Sequence, residues 1–176
     1  ACKAWNTISE VRLISASNST KNDRFSGYAG ETRAKIQTLS EISLQETPRF
    51  TSGFKELDRV LGGGIVPGSA ILIGGHPGAG KSTLLLQVMC GLAKNMTALY
   101  VTGEESLQQV AMRANRLNLP TDKLNMLSET SVEQICNLAD QLKPQIIVVD
   151  SIQVMHLSDI QSSPGSVAQV RECASF

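Results

Sequence analysis

The sequence has no excess of charge of either sign. Its 176 residues include 16 Lys and Arg and 16 Asp and Glu, so the formal net charge at pH 7 is zero. A strong basic excess is the simplest signature of a protein that binds nucleic acid or a membrane surface through bulk charge. Because that excess is absent, any binding of a polyanion must depend on a few local side chains.

Long apolar runs are also missing. No stretch approaches the ~18 residues that identify a membrane-spanning helix. Residues 1–12 lack the basic segment followed by an apolar one that marks a secretory signal. We therefore expect a cytoplasmic protein without a membrane partner.

Cysteine is scarce and widely spaced. The four cysteines do not form the dense pattern of a disulfide-stapled secreted domain. We expect Cys90, Cys136 and Cys173 to be small core residues. Cys2 is considered below with the N-terminal segment.

The N-terminal part differs in composition from the rest. Residues 14–35 are rich in Ser, Asn, Thr and Gly, and too little apolar surface is available there to offset chain entropy. We expect a linker over residues 14–47 and a folded domain over residues 48–176. The chain does not begin with Met, and residues 167–176 keep a helical period without a Gly or Pro to end it, so we expect a fragment.

Within the domain, helical and strand patterns alternate. This alternation predicts an α/β fold in which helices pack on a mostly parallel sheet. The apolar periods predict helices at 54–61, 82–94, 106–117 and 131–142, and strands at 70–73, 98–102 and 146–149.

Two helices carry N-terminal capping signals. Ser106 with Gln109 has the spacing of a capping box, and Ser131 with Gln134 repeats it. The second of these helices is expected to bury its apolar face, which consists of Ile135, Leu138, Ala139 and Leu142.

The unbroken apolar run at 146–149 predicts a strand buried on both faces.

The strongest motif joins the first predicted strand to the helix after it. Residues 75–82 read GHPGAGKS and match G-x-x-x-x-G-K-[ST], in which a glycine-rich turn wraps backbone N–H groups around a phosphate. Lys81 is expected to reach the β- and γ-phosphates, and Ser82 to offer its hydroxyl to Mg²⁺. The predicted phosphate loop is Gly75, His76, Pro77, Gly78, Ala79, Gly80, Lys81 and Ser82.

Acidic residues follow two of the predicted strands. Asp150 ends the run at 146–149, where a carboxylate can hold Mg²⁺ or cap the next helix, and the phosphate loop favours the metal role. Glu104 is interpreted as the base that activates the water attacking the γ-phosphate. Glu105 is interpreted as its helper, or as an acidic residue beside the Ser106 cap. These carboxylates favour hydrolysis over phosphoryl transfer.

These motifs resemble those of the RecA-like P-loop ATPases, and within them the bacterial DNA-repair branch. The resemblance implies that the ATP-binding residues are 75–83, which adds Thr83 to the phosphate loop at 75–82. It also implies that Glu104 is the catalytic glutamate and that Asp150 is the aspartate that holds Mg²⁺. The stretches that carry it are 51–87, 100–117, 124–135 and 146–172.

The resemblance also implies partners. It implies binding of single-stranded or branched DNA, branch migration in recombinational repair, a homo-oligomeric ring and a recombinase partner. Residues 155–166 would then be the DNA-contacting loop. That loop has no Lys, Arg or aromatic residue to hold a single strand. His156 and Gln161 could bind the DNA backbone, but an ordinary polar loop is an open alternative.

Two departures from the family stand out. Members of the bacterial DNA-repair branch open with a four-cysteine zinc finger, and residues 1–13 resemble its tail, with Cys2 matching the last ligand. One thiolate cannot close a tetrahedral Zn²⁺ site, so no zinc is expected here. The chain also stops before a family strand that lies between the phosphate-loop strand and the Asp150 strand, before a KNRFG motif and before a Lon-protease-like domain. We therefore expect a gap in the sheet.

Other functions are compatible with a phosphate loop. A KaiC-like regulatory ATPase or a phosphotransferase would need no DNA, and an inactive fragment would need no turnover. Stimulation of hydrolysis by single-stranded DNA would favour the repair function over these alternatives.

Overall fold

A computed structural model describes residues 38, 40 and 48–176. The chain divides into two units after Gln45, and every element named below belongs to the second. The N-terminal segment predicted at 1–13 and most of the linker predicted at 14–47 lie outside the described residues. The elements are α1 (Lys55–Val60), α2 (Lys81–Leu92), β1 (Ala98–Thr102), α3 (Leu107–Arg116), β2 (Asn125–Ser128), α4 (Val132–Leu142), β3 (Ile146–Asp150), a 3-10 turn (Ile152–Val154) and α5 (Val167–Ser175).

The three strands form a parallel sheet in the order β2-β1-β3. All five residues of the central strand β1 are buried. Thr102 at its end is in register with Ser128 of β2 and with Asp150 of β3. The carboxyl ends of the strands therefore meet at one edge of the sheet, where ligands bind in open α/β folds. The predicted α/β class, with helices flanking a parallel sheet, is confirmed.

The strand predicted at 70–73 is wrong. These residues pair with no strand among those described, and the Leu72 side chain is 87% exposed. Ile71 and Ile73 instead line a cavity of about 670 Å³, opposite Ile146 and Ile147 of β3. A strand is defined by its backbone ladder, so an apolar pattern without a neighbouring strand does not form one. The cavity lies where the sheet was expected to have a gap.

Burial of β3 and α4 also differs from expectation. The β3 side chains alternate between half-buried and exposed, with Ile147 42% exposed, because this strand lies at the edge of the described sheet. On α4, Val132 and Ile135 are buried, whereas Leu138 and Leu142 are exposed. The predicted two-sided burial of β3 and the full apolar face of α4 are therefore wrong.

Helix boundaries follow local chemistry more closely. In α3 the Ser106 side chain accepts from the Gln109 backbone and the Gln109 side chain accepts from the Ser106 backbone, as the capping-box pattern predicts. In α4 only the first half of the box forms, with Ser131 accepting from the Gln134 backbone. The Ser131 hydroxyl donates to Glu133 instead. Cys90 and Cys173 are buried as predicted, and Cys136 is partly buried.

Candidate active site

The predicted phosphate loop leads directly into α2. Gly78 and Gly80 have φ values of 81° and 86°, a left-handed conformation that favours glycine. Gly80 is the residue before the helix, so the free backbone N–H groups of the first turn of α2 face this loop. The loop therefore has the backbone geometry that a phosphate site requires.

Lys81 is folded back over the loop. Its Nζ donates to the carbonyl oxygens of Gly75 at 2.8 Å and His76 at 3.1 Å. A lysine ammonium has three donors, so one remains for another acceptor. The positive charge is held at the loop that is predicted to bind phosphates.

Hydrophobic packing fixes the position of α2. Leu86, Met89 and Cys90 are buried together with Ala98 and Tyr100 of β1. Each of these helix side chains is at most 1% exposed. Because a close-packed core resists displacement, the phosphate loop is held in place relative to the sheet.

The turn after β1 is sterically tight. A Cβ atom on Gly103 would lie 2.5 Å from the Val154 side chain and 3.0 Å from the Met155 side chain. The Gly103 N–H donates to the carbonyl of Asp150 at 3.1 Å. Only glycine fits here, and it holds the ends of β1 and β3 together.

The ends of β1 and β3 are also joined by side chains. Tyr100 Oη donates to Asp150 Oδ2 at 2.6 Å. Burial raises the pKa of Tyr100, and the hydrogen bond to Asp150 raises it further, so the phenol remains a donor. Ser151 Oγ donates to Glu104 Oε1. Asp150 and Glu104 are therefore both held by neighbouring hydroxyl groups.

Glu105 points toward a different partner. Its carboxylate Oε1 accepts from Nη2 of Arg113 on α3. The predicted cap role is not what its side chain does, because Ser106 caps α3 and Glu105 lies before the helix. Arg113 is a residue that sequence reasoning missed. Its spacing of three from Arg116, on one helical face, is the signal that could have suggested it.

A polar cavity of about 340 Å³ brings part of the predicted site together. Glu104 and Asp150 do not line it, so the structure groups the phosphate loop with Glu105 rather than with the other two carboxylates. The lining residues are Gly78, Gly80, Lys81, Ser82, Thr83, Glu105, Arg113 and Arg116.

Comparison with known proteins shows what the chain is similar to. Residues 50–129 match the family model of the ATPase KaiC. The whole chain is 92% identical to the DNA repair protein RadA of Haemophilus influenzae and 70% identical to RadA of Escherichia coli. It is 46% identical over 98% of its length to RadA of Bacillus subtilis. Over all or nearly all of its length the chain is similar to DNA repair proteins named RadA. It spans about 38% of the length of the first two of these relatives and 37% of the third.

The predicted DNA-contacting loop is anchored to the start of α4. Met155 and Leu157 are buried, and His156 exchanges backbone hydrogen bonds with Thr130 and Val132. Gln161 is exposed. At 155–157 the loop is thus part of the packed structure, and its exposed residues lie further along.

The remaining predictions concern metals and membranes. Cys2, matched by resemblance to a zinc ligand, lies outside the described residues. Within residues 48–176, His, Cys, Asp and Glu form no group of three or more that could hold a metal ion. Over that same range, the helices are too short or too polar to cross a membrane.

Proposed function

We propose that this chain contributes the nucleotide-binding part of a DNA-repair ATPase. The observation that carries the proposal is the phosphate loop, in which left-handed glycines, the start of α2 and the Lys81 ammonium lie together, an arrangement that suits an anion. The similarity to RadA supports a role in DNA repair. We propose ATP as the nucleotide and residues 75–83 as its phosphate contacts.

Mg²⁺ fits the proposed site by the chemistry of its oxygen donors. The Ser82 hydroxyl lies in the first turn of α2, and the Asp150 carboxylate lies at the end of β3. Hydroxyl and carboxylate oxygens are hard ligands of the kind Mg²⁺ prefers. When bound, the ion neutralises charge on the phosphates. Tyr100 keeps one Asp150 oxygen engaged and so restricts how the carboxylate turns.

For hydrolysis, we propose Glu104 as the base and Lys81 as the cation that stabilises phosphate charge. Glu104 accepts from Ser151, which leaves its second oxygen to orient and deprotonate a water. Glu105 is held by Arg113 and is a poorer base candidate. The three residues thus have separate roles, which separate variants can test.

The whole protein's partners belong to the same proposal. We propose that single-stranded or branched DNA binds at residues 155–166, and that the longer protein forms a ring and works with a recombinase in the cytoplasm. We also propose a tail of a zinc finger at 1–13 with Cys2 as one ligand, a linker at 14–47, and a partial ATPase domain at 48–176. These assignments rest on the family resemblance.

The match to the KaiC family model supports a second candidate, a regulatory ATPase without a DNA role. The two functions differ in their response to DNA. Steady-state phosphate release with and without single-stranded DNA, measured on the longer protein that contains this chain, separates them. Stimulation by DNA favours repair, and its absence favours the regulatory function.

The nucleotide site itself is tested with point variants. Lys81→Ala should abolish binding of a fluorescent ATP analogue. Lys94→Ala, which removes an exposed lysine just beyond the same helix, should leave binding unchanged. Glu104→Gln should bind the analogue but release phosphate about 100-fold or more slowly. Equal binding by Lys81→Ala and the wild type would contradict the proposal.

A further inference from the structure

The pair formed by Glu105 and Arg113 is well held and partly buried. The Arg113 side chain is 16% exposed and the Glu105 side chain 33%. The Glu105 backbone is fixed from both sides, because its N–H donates to Thr102 Oγ1 at 3.1 Å and its carbonyl accepts from that hydroxyl at 2.9 Å. Arg113 sits in the last part of α3, so both partners are carried by ordered elements.

One polar atom on each side of this pair is buried without a partner. These atoms are Oε2 of Glu105 and Nη1 of Arg113. Buried charged groups normally complete their hydrogen bonds, so each unpaired atom needs an explanation. Both residues line the 340 Å³ cavity that also contains the phosphate loop.

The charge around this cavity favours an anion. Lys81, Arg113 and Arg116 contribute three positive charges, and Glu105 contributes one negative charge. An arginine fork suits phosphate, because it can bond one acceptor while presenting a second N–H to another. Arg113 already uses Nη2 on Glu105, which leaves Nη1.

We infer that Arg113 binds the nucleotide, donating from Nη1 to a phosphate oxygen, and that Glu105 is the positioning residue that holds Arg113 for this contact. The inference rests on the proposed function of the phosphate loop. It separates the two adjacent glutamates by role. Glu104 faces the hydroxyl of Ser151, and Glu105 orients a phosphate-binding side chain.

The test titrates a fluorescent ATP analogue with Mg²⁺ into the protein and its variants. Arg113→Gln should weaken binding by about 10- to 100-fold, as expected for loss of a hydrogen bond between charged groups. Arg116→Gln is the matched control on the same helix. Arg116 is exposed, so its loss should weaken binding by about fivefold or less. Arg113→Lys, which keeps the charge, should restore part of the affinity.

A purely structural role predicts a different pattern. The double variant Glu105→Gln with Arg113→Gln removes both charges of the ion pair and leaves neither partner charged alone, so it should fold as judged by circular dichroism. Its affinity stays low if Arg113 contacts phosphate and recovers if Arg113 only neutralises Glu105. Glu105→Gln alone should weaken binding by about fivefold, less than Arg113→Gln does, because the guanidinium keeps its charge but loses the carboxylate that holds it in place. Unchanged affinity in Glu105→Gln would contradict the positioning role.

Three results would overturn the inference while leaving the phosphate-loop proposal intact. They are full affinity in Arg113→Gln, equal losses in Arg113→Gln and Arg116→Gln, and recovery of affinity in the double variant. Failure of the wild-type protein to bind the analogue would instead overturn the proposed function and this inference with it.

Discussion

Gly103 offers a direct test of how tightly the ends of β1 and β3 are packed. A methyl group at this position would lie 2.5 Å from Val154 Cγ2, 3.0 Å from Met155 Cε and 3.1 Å from Thr130 Cγ2. Met155 is completely buried, and the branched side chain of Val154 has few alternative rotamers. The steric clash with the added methyl group can therefore be relieved only if the segment after β3 shifts. We expect Gly103→Ala to destabilise the protein by about 1 to 3 kcal/mol, the usual cost of overpacking.

Urea unfolding followed by far-UV circular dichroism measures this loss, which corresponds to a fall in Tm of roughly 3 to 9 °C. Gly91→Ala is the matched control, because Gly91 lies in α2 and an added Cβ would meet nothing within 4 Å. That variant should be more stable by about 0.5 to 1 kcal/mol, since alanine favours a helix over glycine. The reasoning fails if both variants gain stability.

Three further predictions concern local hydrogen bonds. Ser106→Ala should cost about 1 kcal/mol in urea unfolding, because the Gln109 N–H loses its capping acceptor. Donation from the Ser158 N–H lowers the pKa of Glu133 from 4.5 to about 2, so this stabilisation is present above pH 4.5 and is lost as the pH falls toward 2. As the pH falls from 4.5 toward 2, the urea midpoint of Glu133→Gln should therefore fall less steeply than that of the wild type. Equal slopes for the two proteins would contradict the role given to the Glu133 carboxylate. Tyr100→Phe removes a donor from the carboxylate ending β3 and should cost about 1 kcal/mol in the same unfolding assay.

Features governed by neighbouring residues were predictable from the sequence. The capping box at Ser106 and Gln109 forms because its two hydrogen bonds join residues three apart. Gly78 and Gly80 adopt the left-handed backbone that the phosphate-loop motif requires. In both cases the motif contains all the atoms that determine the local geometry.

Features that depend on a distant partner were not predictable. The strand Asn125–Ser128 is short and has no clear alternation, and it forms because β1 lies beside it. The apolar run at 70–73 has the composition of a strand but lacks a paired neighbour. Arg113 meets Glu105 only after α3 has set the direction of its side chain. A pattern within one segment does not specify which residues of another segment it will meet.

The bond between Ser151 and Glu104 has a mechanical consequence. Ser151 is the residue between β3 and the 3-10 turn that begins the segment leading to 155–166. The proposed base is thus attached by one hydrogen bond to the first residue of that segment. A displacement of Ser151 would therefore act on the Glu104 carboxylate through this one hydrogen bond. If both proposed roles hold, the link between the DNA-contacting segment and the base would be no longer than one side chain.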